Sequence, residues 1–567
     1  MARTRSPGSS TTPCTTPTRS CATWPAATPR RSPRRTARWR SRNTSVRCAG
    51  RSTGSIEDES RGITVDTRAS AAPAALPIAG ANALVVGCGI TGLAAALALS
   101  ERGLRVTVLE RDAEPATATA SDAFDHWKRK GAAQVRHSHV FLGRLRNLLR
   151  DRHPELLRAL IDAGARELRM LDTPPQTMRG LVAEPGDDDL VILGCRRTTL
   201  EWVIRRYVLA RPNVTLLGGA TVVGLATEPG DPPRVTGLRI TQQDAERVLP
   251  ADLVVDASGR QSQAPKWLAE AGARPPEEKT EPSGIVYYTR FYRLLPGAEE
   301  PKLDGHPGAA DYNWIKYAIF PADDRTFSIT LAASLAFPEM KVLARPDAFE
   351  IVASALPAVA RWVDPARAEP IGDPAHPVQA MGGLINRLRR YVDERGPLAL
   401  GLFVLGDAAY CTNPLYGRGC AQGFVHAELL AAALERHGRD YRAVALDVDA
   451  GARRDIEPFY RASLAADREA QRKAERRVPR GLRATLATRF FEDGVGVAVR
   501  CDPVVYRAFV RMMNMLETPE QAFSEPRVLL RALWVMLRGK RRNAACALPP
   551  PPDRDAVLAA CAALPAR

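Results

Sequence analysis

None of the ten cysteines in this 567-residue chain stands in a Cys-x-x-Cys pair or a regular framework. Neither a zinc site nor a disulfide scaffold is expected, and a reducing cytoplasm suits the composition best. His137 and His139 stand two positions apart without a third ligand or a suitably spaced carboxylate, so no metal is expected there either. Long apolar runs are missing as well. Leu76 to Ser100 comes nearest, but Asn82 and several glycines interrupt it, which excludes a membrane span and a signal-peptide core.

Negative charge is scarce at the front. No acid precedes Glu57, and residues 1–70 hold fourteen Arg against four acids, +10 of the chain's formal +17. Rich in Ser, Thr and Pro and without an apolar period, residues 1–78 are expected to be a disordered basic segment. A nucleic-acid arm or an organelle transit peptide would share this bias. Six prolines before Arg34 argue against an amphipathic transit helix, and two Trp offer little surface for stacking on single strands. The favoured reading is an assigned start too far upstream, with the natural chain beginning near Val65. No specific nucleic acid is expected as a partner.

What the sequence does contain begins at Leu84-Val85-Val86, an apolar strand that runs into Gly87-Cys88-Gly89-Ile90-Thr91-Gly92 and then a helix closed by Gly103. Gly87 permits a sharp turn, Gly89 lets a pyrophosphate approach the backbone, and Gly92 lets helix and strand pack closely. A second strand from Arg105 ends at Glu110, eighteen positions past Gly92, where an acid would accept hydrogen bonds from an adenosine ribose. Arg111 beside it is a further candidate contact.

The donor-rich stretch Trp127 to His139 reads as a loop returning over a cofactor, with Arg136 on phosphate and His137 or His139 near the ring. Residues 195–209 have apolar positions at helical spacing behind a basic start. Four short strands, Val214 to Leu217, Ala220 to Ala226, Arg234 to Thr241 and Arg247 to Leu249, read as a β-meander. It leads into a buried strand that ends in Asp256 and a turn at Gly259. Gly284 to Leu295 and Tyr312 to Leu331 alternate well enough for antiparallel strands, whose aromatics either wall a pocket or, as is commoner for Tyr and Trp in a strand, enter a core. Next, Leu402 to Leu405 delivers Gly406-Asp407, a loop with Pro414, and Gly417-x-Gly419 opening a helix to His437. Asp407 is placed to bind a hydroxylated chain, and the helix start can stabilise negative charge. From Asp447 the chain is mainly helical. Val528 to Leu537 with the cations Arg538 to Arg542 reads as an internally packed helix with a basic end rather than a membrane contact, and Pro549 to Pro552 as a flexible end.

Taken jointly, the glycine motif with Glu110, Arg197-x-x-Leu200-Glu201, Asp256 to Arg260, and Gly406-Asp407 with Pro414 and Gly417-x-Gly419 resemble the FAD-dependent monooxygenase superfamily. Aromatic hydroxylases, olefin epoxidases, flavin halogenases and geranylgeranyl reductases share that scaffold. The resemblance covers about residues 80–440. It implies an α/β fold with a Rossmann-like FAD-binding domain of the aromatic-hydroxylase type over 79–275 and 396–440. An antiparallel-sheet substrate domain is inserted over 276–395, and a helical C-terminal region covers 441–567.

By the same resemblance, residues 87–92 and Glu110 hold the ADP part of FAD and Arg197 lies beside the pyrophosphate or ribose. Asp256 and Gly259 line the middle motif, Asp407 binds the ribitol, and Pro414 with Gly417 and Gly419 borders the isoalloxazine. Asp256-Ala257-Ser258-Gly259 departs from the hydroxylases' Asp-Gly, which places direct reduction by NAD(P)H beside reduction through a partner flavin reductase. The halogenases' Trp-x-Trp-x-Ile-Pro has its nearest counterpart at Trp314 to Pro321, with Lys316 and Ala318 in place of the two Trp. The Asn413-Pro414-x-Tyr416-Gly417-x-Gly419 form is closest to polyketide olefin epoxidases and their uncharacterised relatives.

The implied reaction is hydroxylation or epoxidation. FAD is reduced by NAD(P)H, reacts with molecular oxygen, and passes one oxygen atom through a flavin hydroperoxide to an apolar or aromatic small molecule. The aromatic sheet over Ile285 to Phe327 is the expected substrate wall, with His137, His139 and Tyr416 the candidate catalytic groups. The alternatives are a flavin dehydrogenase or reductase of a lipid or isoprenoid alkene, a flavin halogenase, or a nucleic-acid-binding protein acting through its basic tail.

Overall fold

The computed structural model describes residues 78–565 except 113–116, 130, 179, 304–305 and 476–480. The expected basic segment, apart from Ile78, lies outside the described residues. The fold is α/β. A five-stranded parallel sheet runs in the spatial order Leu402–Val404, Leu253–Asp256, Asn82–Val86, Arg105–Glu110, Val214–Gly218. Its strands read as continuous apolar runs because both faces are covered. Ala83 and Val85 point into a core with the helices Ile90–Glu101, Arg197–Leu209 and Gly419–His437. Leu84 and Val86 point the other way, onto a three-stranded antiparallel sheet of Thr221–Glu228, Arg234–Gln242 and Ala245–Pro250.

That smaller sheet is the meander less its first strand. Val214–Gly218 pairs parallel to Arg105–Glu110 instead, with Val214 opposite Val106. Asn213 explains the switch, since its side-chain amide donates to the carbonyls of Ser100 and Leu104 at 2.8 Å each and pins the strand's start beside the first helix–strand turn.

A second layer is the antiparallel sheet Ala309–Asp311, Lys316–Pro321, Thr326–Ser334, Ile285–Leu294, Ala368–Ile371, with Gln379–Met381 also pairing with Ile285–Leu294. Alternation sorts its side chains between two faces. Tyr288, Tyr292, Tyr317, Phe327, Ile329 and Leu331 enter a core covered by the helices Pro346–Ala355 and Pro357–Ala360. The other face presents Ile285, Tyr287, Thr289, Phe291, Ser328 and Thr330 to the nucleotide side. A third small sheet, Glu277–Pro282, Ile385–Arg390 and Tyr410–Cys411, ties this layer to the segment after Leu402–Val404.

The C-terminal helices do not form one block. Tyr441–Asp455 and Glu457–Ala474 pack on the parallel-sheet core. The proline run is a connector rather than a flexible end, because Arg554–Ala562 follows it and seats Val557 and Cys561 in the core of the antiparallel layer. Among the described residues no helix is long and apolar enough to cross a membrane.

Candidate functional site

The C-terminal ends of the parallel strands gather the motif residues, as expected for a crevice at the reversal of strand order. Gly87 turns at φ +97°, and a Cβ there would stand 2.9 Å from the Ala257 carbonyl oxygen. A Cβ on Gly92 would stand 1.8 Å from the Gly87 oxygen, so helix and turn touch through backbone alone. Gly89 differs. It is half-buried, yet a Cβ there would meet nothing within 4 Å, which leaves an open approach to the backbone. The helix Ile90–Glu101 starts at Gly89 without a side-chain cap and without an acid in its first turn, so its first N–H groups face that space. Cys88 and Ile90 are buried. Burial pushes the Cys88 thiol up to about 12, and its sulfur accepts from Arg205 Nη1 at 2.8 Å.

Glu110 closes one side. Its Oε2 accepts from the Cys88 amide at 3.2 Å and from Arg129 Nη1 at 2.9 Å, and its Oε1 accepts from the Asp112 amide at 3.1 Å. Burial alone would raise this carboxyl, but Arg129 and the two amides hold it below the usual glutamate range. Arg129 continues to Glu201 Oε1 at 2.8 Å, and Glu201 Oε2 accepts from Arg197 Nε at 3.1 Å. Arg197 also reaches Cys420 Sγ at 3.1 Å. Alternating charges Glu110, Arg129, Glu201 and Arg197 thus run buried beneath the site.

Asp407 stands on the other side and is half-buried. Burial raises its carboxyl, opposed by the charges of Arg197, Arg260 and Arg387. No hydrogen bond reaches it from any described residue. The helix Gly419–His437 begins beside it, a Cβ on Gly419 being 3.6 Å from Asp407 Oδ1, and this helix also lacks a side-chain cap and a first-turn acid. Gly406 turns at φ +59° and its amide donates to His426 Nδ1 at 3.2 Å. Gly259, at φ +76°, and Gly417, at φ +65°, complete the turns around this end.

The loop 137–141 joins the two layers. His137 Nδ1 meets Thr289 Oγ1 at 3.1 Å, Thr289 meets Thr330 Oγ1 at 3.0 Å, and Ser138 donates to Ser328 at 2.7 Å. His139 Nδ1 donates to the His137 carbonyl at 2.9 Å, which leaves Nε2 with its lone pair. Burial lowers His137 to about 4, and burial with the nearby charge of Arg197 lowers His139 to about 3, so both rings are neutral near pH 7. A second link is buried. Arg196 donates to Asp323 from its amide, Nε and Nη2 at 2.7, 3.0 and 2.6 Å, and joins the start of Arg197–Leu209 to the turn between two antiparallel strands.

Several predicted residues sit in other surroundings than the sequence pattern suggests. Arg136 donates to the carbonyls of Phe124 and Asp125 and lies over the Phe124 ring, so Arg129 rather than Arg136 is the loop cation in contact with Glu110. Asp256 is fully buried, and its oxygens are taken by the Ser258 amide and the hydroxyls of Ser258 and Ser262 at 2.9, 2.5 and 2.5 Å, which shapes the turn to Gly259. Arg111 and Pro414 are exposed. Tyr416 donates to Asp467 Oδ1 at 2.8 Å; burial and that carboxylate raise its phenol, so it does not ionise near neutrality. Asp467 also accepts from Asn413 at 2.8 Å and Asn386 at 2.7 Å, while Tyr287 donates to Asn413. This network, beside a cleft of about 230 Å³ that includes Lys316 and Leu415, fixes the loop 413–417. Asp467 had no signal in the sequence beyond being one acid on an amphipathic helix. Most of the expected aromatic wall faces the opposite core, for the alternation reason given above. Tyr287 and Phe291 are the aromatics of Ile285–Leu294 that face the nucleotide side.

Open backbone at Gly89, two uncapped helix starts and an unpartnered carboxylate among three arginines fit a dinucleotide with a hydroxylated chain. Protein Rv3254 of Mycobacterium tuberculosis (strain ATCC 25618 / H37Rv) is 29% identical over 492 residues, which cover 82% of this chain and 96% of that protein. Among solved structures, OxyS anhydrotetracycline hydroxylase from Streptomyces rimosus is 19% identical at a TM-score of 0.49, over 77% of this chain and 76% of that one. The flavin-dependent brominase Bmp2 is 16% identical at a TM-score of 0.49, over 82% and 100%. Residues 82–127 match the family model described as FAD dependent oxidoreductase. That match falls on the strand, glycine turn and helix that build the site, and over those residues the chain is similar to FAD-dependent oxidoreductases.

Proposed function

We propose that the chain is a flavin monooxygenase that inserts one oxygen atom, by hydroxylation or epoxidation, into an apolar or aromatic small molecule, with NAD(P)H as electron donor directly or through a partner reductase. The observation that carries the reading is the join at His137 and Thr289. It brings the hydroxyl-bearing and apolar face of the antiparallel sheet against the strand ends where the cofactor residues gather. Bound FAD would supply the redox chemistry and the activation of oxygen. The first turn of Ile90–Glu101 would hold its pyrophosphate, Arg197, Arg260 and Arg387 would balance its charge, and Asp407 would accept from its sugar-chain hydroxyls. The helix start at Gly419 would favour negative charge on the reduced ring.

Oxygen transfer asks for a dry, oriented site rather than a strong acid or base, and the local side chains suit that demand. His137 and His139 are neutral, and the Tyr416 hydroxyl is bound to Asp467. In this reading His139 Nε2 accepts a hydrogen bond from substrate or water, and Tyr287, Phe291 and Ile285 give the substrate its apolar wall. The protein is assigned to the cytoplasm.

The test is purification with bound flavin, then NADH and NADPH oxidation with candidate alkenes and arenes under oxygen-18 gas. The expected product carries one heavy oxygen atom. Turnover that persists under argon would make the enzyme a dehydrogenase or reductase, and dependence on bromide or chloride would make it a halogenase.

A further inference from the structure

The stretch Val528 to Leu537 reads as an internally packed helix with a basic end; the helix Pro526–Arg542 that contains it is buried on one side only. Val528, Ala532 and Val535 pack into a small core with Val505, Ala508 and Ala498. At about 100° per residue, Leu529, Leu533, Leu537, Leu530 and Trp534 follow one another round the opposite side. Their exposures are 39%, 39%, 69%, 66% and 62%. Beyond Trp534 the circuit continues with Arg527, Arg538 and Arg531, all exposed. Gly539, at φ +78°, then kinks the chain, and Lys540, Arg541 and Arg542 follow, also exposed. Two of these six cations have an acidic neighbour, Arg531 with Asp502 and Lys540 with Asp493, each at 3.4 Å. Arg527, Arg538, Arg541 and Arg542 make no ion pair among the described residues.

We infer that this face docks on an anionic lipid surface. Leucines lie in the acyl boundary, Trp534 sits at headgroup level where leucines meet arginines, and the cations meet lipid phosphates. The charge selects this occupant. A second copy across a twofold axis would bring the same cation-rich flanks together, whereas an anionic bilayer complements the apolar stripe and its basic border at once. The contact is peripheral, since the helix is too short and too charged to span. It would hold the enzyme where apolar molecules concentrate, and it does not depend on which reaction the flavin site performs.

The experiment is sedimentation of the full chain with phosphatidylcholine vesicles and with equimolar phosphatidylcholine–phosphatidylglycerol vesicles over a range of salt. Binding is expected to the anionic vesicles alone, weakening as salt screens the charges. Because the stripe is exposed, the triple variant Leu530→Gln, Trp534→Gln, Leu537→Gln is expected to keep its unfolding midpoint and lose vesicle binding at least tenfold. The triple variant Arg527→Gln, Arg538→Gln, Arg541→Gln is expected to lose about a hundredfold, at roughly one kcal/mol per cation. Absence of binding at low salt overturns the proposal. So does wild-type binding by both variants, which would move the contact elsewhere on the chain, or self-association of the wild type that the leucine variant abolishes, which would make the stripe an interface between copies.

Discussion

Glu110 and Asp407 stand at strand ends on either side of the central strand, and the fold treats them in opposite ways. Glu110 is fully engaged by two backbone amides and Arg129. Asp407 has three arginines near enough to oppose its burial but no hydrogen bond from any described residue. Counter-charge lowers the cost of burying a carboxylate, while only a donor fills its lone pairs. The difference separates an acid that organises the turn from one left for the hydroxyls of a ligand.

The largest test of that contrast is Arg129→Ala. It leaves buried Glu110 without its ion-pair partner and takes from Glu201 one of its two arginines, Arg197 remaining, and stability is expected to fall by about 4 kcal/mol, read from urea unfolding. The pH dependence gives the sign. In the wild type the Glu110 carboxyl lies below its ordinary value, so its stabilisation is fully present above about pH 4.5 and lost as pH falls through the lowered value. Without Arg129, burial raises that carboxyl instead, and the deficit should narrow on acidification. A deficit that is constant with pH would mean Arg129 acts by packing alone.

Asp407→Ala should do the reverse. Folding is expected to hold, while FAD affinity drops about tenfold to a hundredfold, the worth of a hydrogen bond to a charged group at about 1.5–3 kcal/mol. Flavin-fluorescence titration reads it, and unchanged affinity would sink the assignment. A smaller effect is expected from Thr289→Val, which removes the partner of His137 at about 1 kcal/mol. It should lower coupling of NAD(P)H oxidation to product more than it lowers FAD content.

The smallest expected effect is on the activity profile. His137 and His139 titrate near 4 and 3, so neither should contribute an ionisation between pH 6 and 8. Both are neutral, His137 buried and His139 half-buried. Their contribution to stability is complete above the ordinary histidine value of 6.5 and declines as pH falls below it. A bell with a limb near 6.5 that His139→Ala removes would contradict their burial.

The parallel core was legible because its cause is local. Strand, turn and helix adjoin in sequence, and the spacing from Gly92 to Glu110 follows from one helix and one strand. Side-chain partners were less legible. Arg129 looked like one cation among several in the loop, and only folding brings it to Glu201, 72 positions later. Asp256 has the look of a ligand residue, yet Ser258 and Ser262, close behind it, take its oxygens. In the antiparallel sheet, alternation announced two faces without saying which one turns toward the cofactor. Val214–Gly218 would fit either sheet until Asn213 ties it to the first helix.

Thr91 is wedged between two glycines. A Cβ on Gly406 or on Gly423 would fall 2.5 Å from its Oγ1. These three positions therefore constrain one another, and substitutions among them are exchangeable only in combination. In a library randomised at all three, Ala at 423 should survive chiefly where 91 has shrunk to Ala or Gly. The site would then diverge by paired steps, through intermediates that begin with the loss of the threonine.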